Sequence, residues 1–283
     1  RPRIRGPRIP VEPPADDPRF VALCRKIERD RGFLCSNYKD TCLRRRISVR
    51  MRVKGATSFD EYSGILDEDS REYDRLIAAL TINVSRFFRN PETYACIAAK
   101  VLPDLWEHST SPIRIWSAGC ALGEETYSLA VLCHQHLQHH GVARRGMSFD
   151  VTGTDIDADA LSAARLGRYS AASFADTAPS VRDTYFPVSE GLHTAVPALR
   201  QRVSFHQSNL LDTSRAIPRM HLIVCRNVII YFKREAQEKV IQRFHDALLP
   251  GGFLVLGKVE SLLGKSRGSF APVSSRERVY RRT

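Results

Sequence analysis

Residues 113–130 read IRIWSAGCALGEETYSLA, and this stretch decides the fold. Ile113–Ser117 reads as a strand. Ser117–Glu125 is a turn carrying Gly119 and Gly123, and the apolar spacing from Glu124 to Leu137 is that of a helix. The same grammar continues downstream. Phe149–Thr154 is a second strand ending in Asp155, and Asp157–Leu166 is a helix. Val203–His206 and the very apolar His221–Cys225 are further strands. Lys233–Leu249 is a long amphipathic helix closed by Pro250-Gly251-Gly252. Phe253–Leu256 is a strand, and Arg278–Arg282 a final one. Strands alternating with helices predict a mostly parallel α/β sheet covered on both faces. Such sheets bind ligands at the carboxyl ends of their strands, here the turns after Ser117, Thr154, His206 and Cys225.

Upstream the pattern is helical from Phe20 to about Leu80. Phe20, Leu23, Cys24 and Ile27 repeat at helix spacing. A second helix runs from Tyr38 to Val53 and stops at Gly55, and a third follows the capping pair Thr57-Ser58. Residues 1–18, rich in proline and arginine, read as a disordered tail. The expected layout is therefore a tail (1–18), a helical domain (19–90) and an α/β domain (91–283). A stretch at about 186–202 interrupts the α/β pattern.

Composition narrows the class. The chain has 283 residues, 43% hydrophobic and 26% charged, which excludes a fibrous repeat and disorder throughout. No apolar run approaches the roughly 18 residues of a membrane span, and RPRIRGPRIP lacks the apolar core of a secretory signal. A cytoplasmic protein is expected. The net charge of +12 favours anionic partners but does not choose among nucleic acid, lipid and acidic protein. The seven cysteines are scattered, with no C-x-x-C pair, so neither a disulfide framework nor a metal site is expected.

The turns hint at a ligand. Gly119 and Gly123 let one approach the backbone. The spacing is not G-x-G-x-x-G, and Glu124 and Glu125 at the helix start would repel a pyrophosphate. A cationic ligand such as S-adenosylmethionine fits better, although the two glutamates could simply complement the helix dipole. Asp155 can accept ribose hydroxyls, and it lies further from the glycines than the usual ~20 residues. Asn209, in Ser208-Asn209-Leu210, can read an adenine amino group. Cys225-Arg226-Asn227 is a polar break after a buried strand. Four such signals in order point to an adenosyl ligand.

TINVSRFFRNPETY (Thr81–Tyr94), the opening stretch Ile113–Ala130, TDID (Thr154–Asp157) and CRNVIIYF (Cys225–Phe232) together resemble the chemotaxis receptor methyltransferases of the CheR type. ERVYRR near the end fits as well. The resemblance covers about Phe20 to Arg282. It implies a Rossmann-like class I methyltransferase sheet, an N-terminal all-helical domain and a small inserted β subdomain. It also implies transfer of methyl groups from S-adenosylmethionine to chemoreceptor glutamates, giving methyl esters and S-adenosylhomocysteine. By resemblance, Asn83, Ser85 and Arg89 lie beside the reacting centre. Glu125, with Glu124 nearby, contacts the methionyl part, Asp155 takes the ribose and Asn209 the adenine edge, with Gly119 and Leu210 as further cofactor-binding candidates. Asn227 and Val228 form a wall, and Tyr231 closes the pocket. Arg89 and Tyr231 are the candidate catalytic residues. The chain departs from the family at Ala121-Leu122, where small hydroxyl residues are usual, and at Lys258-Val259, where a His-Ser pair is usual.

The helix Lys39–Lys54 carries seven basic residues against Asp40, with Leu43, Ile47 and Met51 as its packing stripe. Acidic receptor helices suit such a face, and the resemblance assigns docking here, to Arg45, Arg46 and Arg50. The expected partner is the cytoplasmic helical region of chemoreceptors, met by a monomer, with no nucleic acid and no membrane insertion. With only Gly191 in the insert, tethering of a receptor tail peptide there is expected to be weak or absent. Two alternatives stay open: an RNA methyltransferase, favoured by charge alone, and a non-catalytic adenosyl-binding signalling module.

Overall fold

The computed structural model describes residues 17–81, 85–109, 112–139, 147–212 and 216–283. The expected tail lies outside them except for its last two residues. Asp17 and Pro18 instead open a helix, Asp17 accepting a hydrogen bond from the Arg19 amide at 2.9 Å. The chain divides into two units, one ending at Leu80 and one beginning at Thr81.

The first unit is helical: α1 (Pro18–Arg31), α2 (Asp40–Lys54), α3 (Phe59–Glu68) and most of α4 (Ser70–Thr81). Each helix buries one stripe: Phe20, Leu23 and Ile27 from α1; Leu43, Ile47 and Met51 from α2; Phe59, Tyr62 and Leu66 from α3; Tyr73, Leu76 and Leu80 from α4. Each such side chain contributes roughly 1.5–3 kcal/mol by leaving water. A polar knot sits among them. The fully buried Glu72 carboxylate accepts from Arg50 Nε at 2.9 Å, from Arg50 Nη2 at 2.5 Å and from the Tyr62 hydroxyl at 2.8 Å. Burial pushes the Glu72 pKa up, but these hydrogen bonds outweigh it, and the group lies below its ordinary value.

The second unit opens with α5 (Pro91–Cys96), a π-turn (Ile97–Val101) and α6 (Leu102–His108), a stretch for which the sequence reading named no helices. Then come β1 (Ile113–Ala118), α7 (Glu124–His139), β2 (Phe149–Asp155), α8 (Ala158–Leu166), β3 (Arg168–Tyr169) and α9 (Pro179–Tyr185). These are followed by β4 (Val188–Ser189), β5 (Leu192–Thr194), α10 (Pro197–Arg200), β6 (Val203–Gln207) and β7 (Met220–Cys225). The chain finishes with α11 (Arg234–Ala247), β8 (Leu248–Leu256), β9 (Phe270–Ser274) and β10 (Val279–Arg282). The main sheet runs β6-β2-β1-β7-β8-β10-β9, parallel from β6 to β8 and antiparallel beyond. This is the expected Rossmann-like sheet. Its strand order reverses between β1 and β7, which opens a crevice at their carboxyl ends. All six residues of β7 are buried, as a central parallel strand requires.

Two details differ from the sequence reading. The long helix ends at Ala247, and Pro250-Gly251-Gly252 lies inside β8. The register shift between Met220 and Leu222 takes up these extra residues as a bulge, where a proline without an N–H is tolerated. The small antiparallel sheet, β3-β5-β4, draws two strands from the expected insert and its third from Arg168–Tyr169. No helix among the described residues is long and apolar enough to cross a membrane.

Candidate active site

The loop after β1 is pinned to the end of β2. The Gly119 and Cys120 amides donate to the Thr154 carbonyl at 2.8 and 3.0 Å, and the Ala121 amide donates to Asp155 Oδ2 at 2.8 Å. Asp155 Oδ1 accepts from the Asp157 amide at 3.0 Å, and the Asp155 carbonyl accepts from the Ser208 amide at 2.9 Å. Asp155 therefore joins the loops after β1, β2 and β6. Burial raises its pKa. Gly119 has φ +79°, and a Cβ there would fall 2.5 Å from Val228 Cγ2. The turn after β1 and the wall residue after β7 touch, and only glycine leaves room for it.

Two buried carboxylates begin α7. Glu125 Oε1 accepts from the Ser117 hydroxyl at 2.9 Å, and Oε2 lies 3.8 Å from Arg226 Nη1. Burial pushes the Glu125 pKa up to about 6, against the pull of Arg226. Burial pushes Glu124 further, to about 7, partly offset by a hydrogen bond from the Ser85 side chain. Glu124 Oε2 is buried with no hydrogen-bond partner among the described residues. An orphaned buried acceptor of this kind suits a ligand that brings a charged N–H donor.

Arg226 ties the third segment in. Its Nη2 donates to the Arg89 carbonyl at 2.8 Å and to Asn90 Oδ1 at 2.7 Å, and its guanidinium lies 5.4 Å from the centre of the Tyr94 ring. Phe88 and Asn90, which flank Arg89, both have positive φ, at 53° and 61°. A phenylalanine there is strained backbone held by its surroundings, with Phe87 stacked on Phe174 and the Phe88 amide bound to Ser128 Oγ at 3.0 Å.

The structure thus brings Ser85, Arg89, Gly119, Glu124, Glu125, Asp155, Asn227 and Val228 to one end of the sheet. Asn209 is joined to them through its neighbour Ser208. Its Oδ1 accepts from the Leu211 amide at 2.9 Å, and Leu210 is buried. Tyr231 ends the turn Ile229–Tyr231, directly after Asn227 and Val228, and is half-buried. Asn83 lies outside the described residues. Arg226 and Ser117 escaped the sequence reading as site residues. Arg226 stood inside the quoted CRNVIIYF, but its partners come from residues far away in the chain.

The docking expectation needs correction. Arg46 is only 7% exposed and donates to the Leu80 carbonyl, and Arg50 is committed to Glu72. Both guanidiniums are engaged in holding the helical unit together, because α2 packs the face they share. Arg45 alone of the three is exposed, on the side of α2 that also carries Val49 and Val53.

The sheet order and the pinned turn after β1 define a Rossmann-like α/β domain whose candidate site lies at the carboxyl ends of β1, β2 and β7. The family described as CheR methyltransferase, SAM binding domain, matches residues 83–279, and CheR methyltransferase, all-alpha domain, matches residues 18–81. The chain belongs to the CheR methyltransferase family. A chemotaxis protein methyltransferase of Listeria monocytogenes is 32% identical over 90% of this chain and 95% of its own length. One of Klebsiella aerogenes is 32% identical over 90% and 87%. An uncharacterized 104.1 kDa protein of Rhodobacter capsulatus is 34% identical over 86% of this chain, which spans 25% of that protein.

Proposed function

We propose that this chain methylates glutamate side chains in the cytoplasmic helical region of chemoreceptors, forming γ-methyl esters. The observation that carries the reading is the buried Glu124 Oε2, which has no hydrogen-bond partner among the described residues and lies at the start of α7 next to the Glu125 that pairs with Arg226. When bound, S-adenosylmethionine supplies an electrophilic methyl group on a sulfonium, and its ammonium suits the two buried carboxylates. Asp155 is suited to the ribose hydroxyls and Asn209 with Leu210 to the adenine.

A glutamate substrate is already ionised at neutral pH and needs no general base. The chain's work is therefore positioning and exclusion of water, which can be worth ~7–11 kcal/mol. Arg89, set between Phe88 and Asn90, is suited to hold the incoming carboxylate through its fork of N–H donors. Tyr231 is suited to close the pocket over the acceptor. The exposed Arg45 face of the helical unit is suited to an acidic receptor helix.

The test is incubation of the purified chain with receptor-containing membranes and S-adenosylmethionine labelled in the methyl group. Esters release the label as methanol in alkali, whereas N-methyl groups do not. Alkali-labile label in the receptor supports the reading. Stable label, or label in added RNA, overturns it.

A further inference from the structure

Strand β8 leaves the sheet at Leu256 and enters Gly257-Lys258-Val259-Glu260. Glu260 is 3% exposed, and its carboxylate accepts from four backbone amides. Oε2 accepts from Gly257 at 2.6 Å and Asn227 at 3.0 Å, and Oε1 from Val228 at 2.9 Å and Ile229 at 3.0 Å. Three of the four donors belong to the segment that follows β7. That segment carries Asn227 at φ +61°, in the left-handed region that asparagine adopts more readily than most residues with side chains. It also carries Val228, whose side chain lies against Gly119.

The clasp is closed from the other side too. The Glu260 amide donates to the Gly257 carbonyl at 2.9 Å. A Cβ on Gly257 would fall 2.6 Å from Glu260 Oε2 and 2.9 Å from the Asn227 nitrogen. The two residues between face outward: Val259 is 74% exposed, and Lys258 reaches Glu92 at 3.3 Å and Glu277 at 3.6 Å. The departure from the family at Lys258-Val259 therefore lies outside the clasp.

We infer that Glu260 is a positioning residue for methyl transfer, its carboxylate setting the Asn227–Ile229 backbone and so the place where Asn227 and Val228 meet the cofactor. An ionised carboxylate offers about four acceptor sites and no donor, which is what four converging amides demand. A glutamine would turn an NH2 toward two of them. The inference rests on the cofactor role proposed for Asn227 and Val228.

The test is calorimetric titration of S-adenosylhomocysteine into the full chain and into Glu260→Gln, Gly257→Ala, Asn227→Ala and the Asn227→Ala/Glu260→Gln pair. Receptor KM is measured in parallel. Glu260→Gln should raise the Kd by about tenfold and leave the receptor KM unchanged. Because both residues act through one loop, the effect of Glu260→Gln should shrink severalfold once Asn227 is alanine. A side chain that only supported the fold would lower the melting temperature and act additively. An unchanged Kd in folded Glu260→Gln, or full additivity, overturns the inference. If that variant does not fold, Gly257→Ala, which intrudes on the same carboxylate, is read by the same criteria. Failure of the parent chain to bind would sink the cofactor reading and this inference with it. Binding by the parent with both clasp variants unaffected would sink the inference alone.

Discussion

Arg226 Nη1 lies 3.8 Å from Glu125 Oε2, and both side chains are almost wholly shut off from water, at 3% and 11% exposure. The same guanidinium donates to the Arg89 carbonyl and to Asn90. One cation thus neutralises the carboxylate at the start of α7 and fixes the loop carrying the candidate catalytic arginine. Arg226→Ala leaves Glu125 buried without its counter-charge, and breaking a buried pair in this way costs about 3–5 kcal/mol. Thermal melts should show a clear fall, and activity should be lost even at temperatures where the variant is folded. A variant that melts and methylates like the parent would deny the pair any role.

Cofactor affinity should depend on pH through the carboxylates that begin α7. Burial raises Glu124 to about 7 and Glu125 to about 6. A carboxyl raised in the folded state costs nothing below its unfolded pKa, and its burial grows unfavourable from there until pH passes the folded value. The ligand-free chain should therefore lose stability as pH rises from the unfolded value of 4.5 to about 7, and level off above that. A cationic ligand favours the ionised forms, so its binding should tighten over the same window and release protons. Calorimetry in buffers of different ionisation enthalpy reads that release directly. Glu124→Gln should remove the step near 7, and persistence of that step in the variant would assign it elsewhere.

Asp155 is expected to serve both the fold and the ligand, since it already accepts from the Ala121 and Asp157 amides. Asp155→Asn keeps an acceptor for one of these and removes the charge. S-adenosylhomocysteine binding should weaken about 10–100-fold, the worth of a hydrogen bond to a charged group. Asp155→Ala should weaken it at least as much and lower the melting temperature as well. Affinity equal to the parent's in both variants would remove Asp155 from the ligand's contacts.

The arginines of α2 should separate into two kinds. Glu72→Gln, or Arg50→Ala, should destabilise the helical unit by about 3–5 kcal/mol, because each breaks the buried pair. Glu72 is held below its ordinary value, so the stability it supplies is present above the unfolded carboxylate range. That stability is lost as pH falls through the folded pKa, so the helical unit should weaken in acid. Arg45→Glu should leave the melt and S-adenosylhomocysteine affinity unchanged and raise the receptor KM about tenfold, as loss of a desolvated charge contact would. An unmoved KM would place docking on another surface.

The sheet was largely legible because a buried parallel strand leaves a continuous apolar run and its turn leaves polar and glycine residues. Leu222–Cys225 is of this kind and lies in β7, while Ile113–Ser117, broken by Arg114, is the strand β1. The turns after β1, β2 and β7 were legible for the same reason, since polar and glycine residues follow each buried strand there. The helices of residues 91–108 and the bulge at Pro250-Gly251-Gly252 were not. The first breaks into short pieces around a π-turn, and the second takes its meaning from the register of a neighbouring strand.

Local order in the chain determined the class of fold, the family and the acidic start of α7, because each is written in contiguous residues. Which charged groups are engaged was decided only by tertiary structure. Arg46 and Arg50 look like a docking face until Leu80 and Glu72 are packed against them. Arg226 and Glu260 look like ordinary surface charges until burial removes their water. A charge in a sequence carries no mark of its surroundings, and what it does depends on the dielectric and the partners that distant segments bring to it.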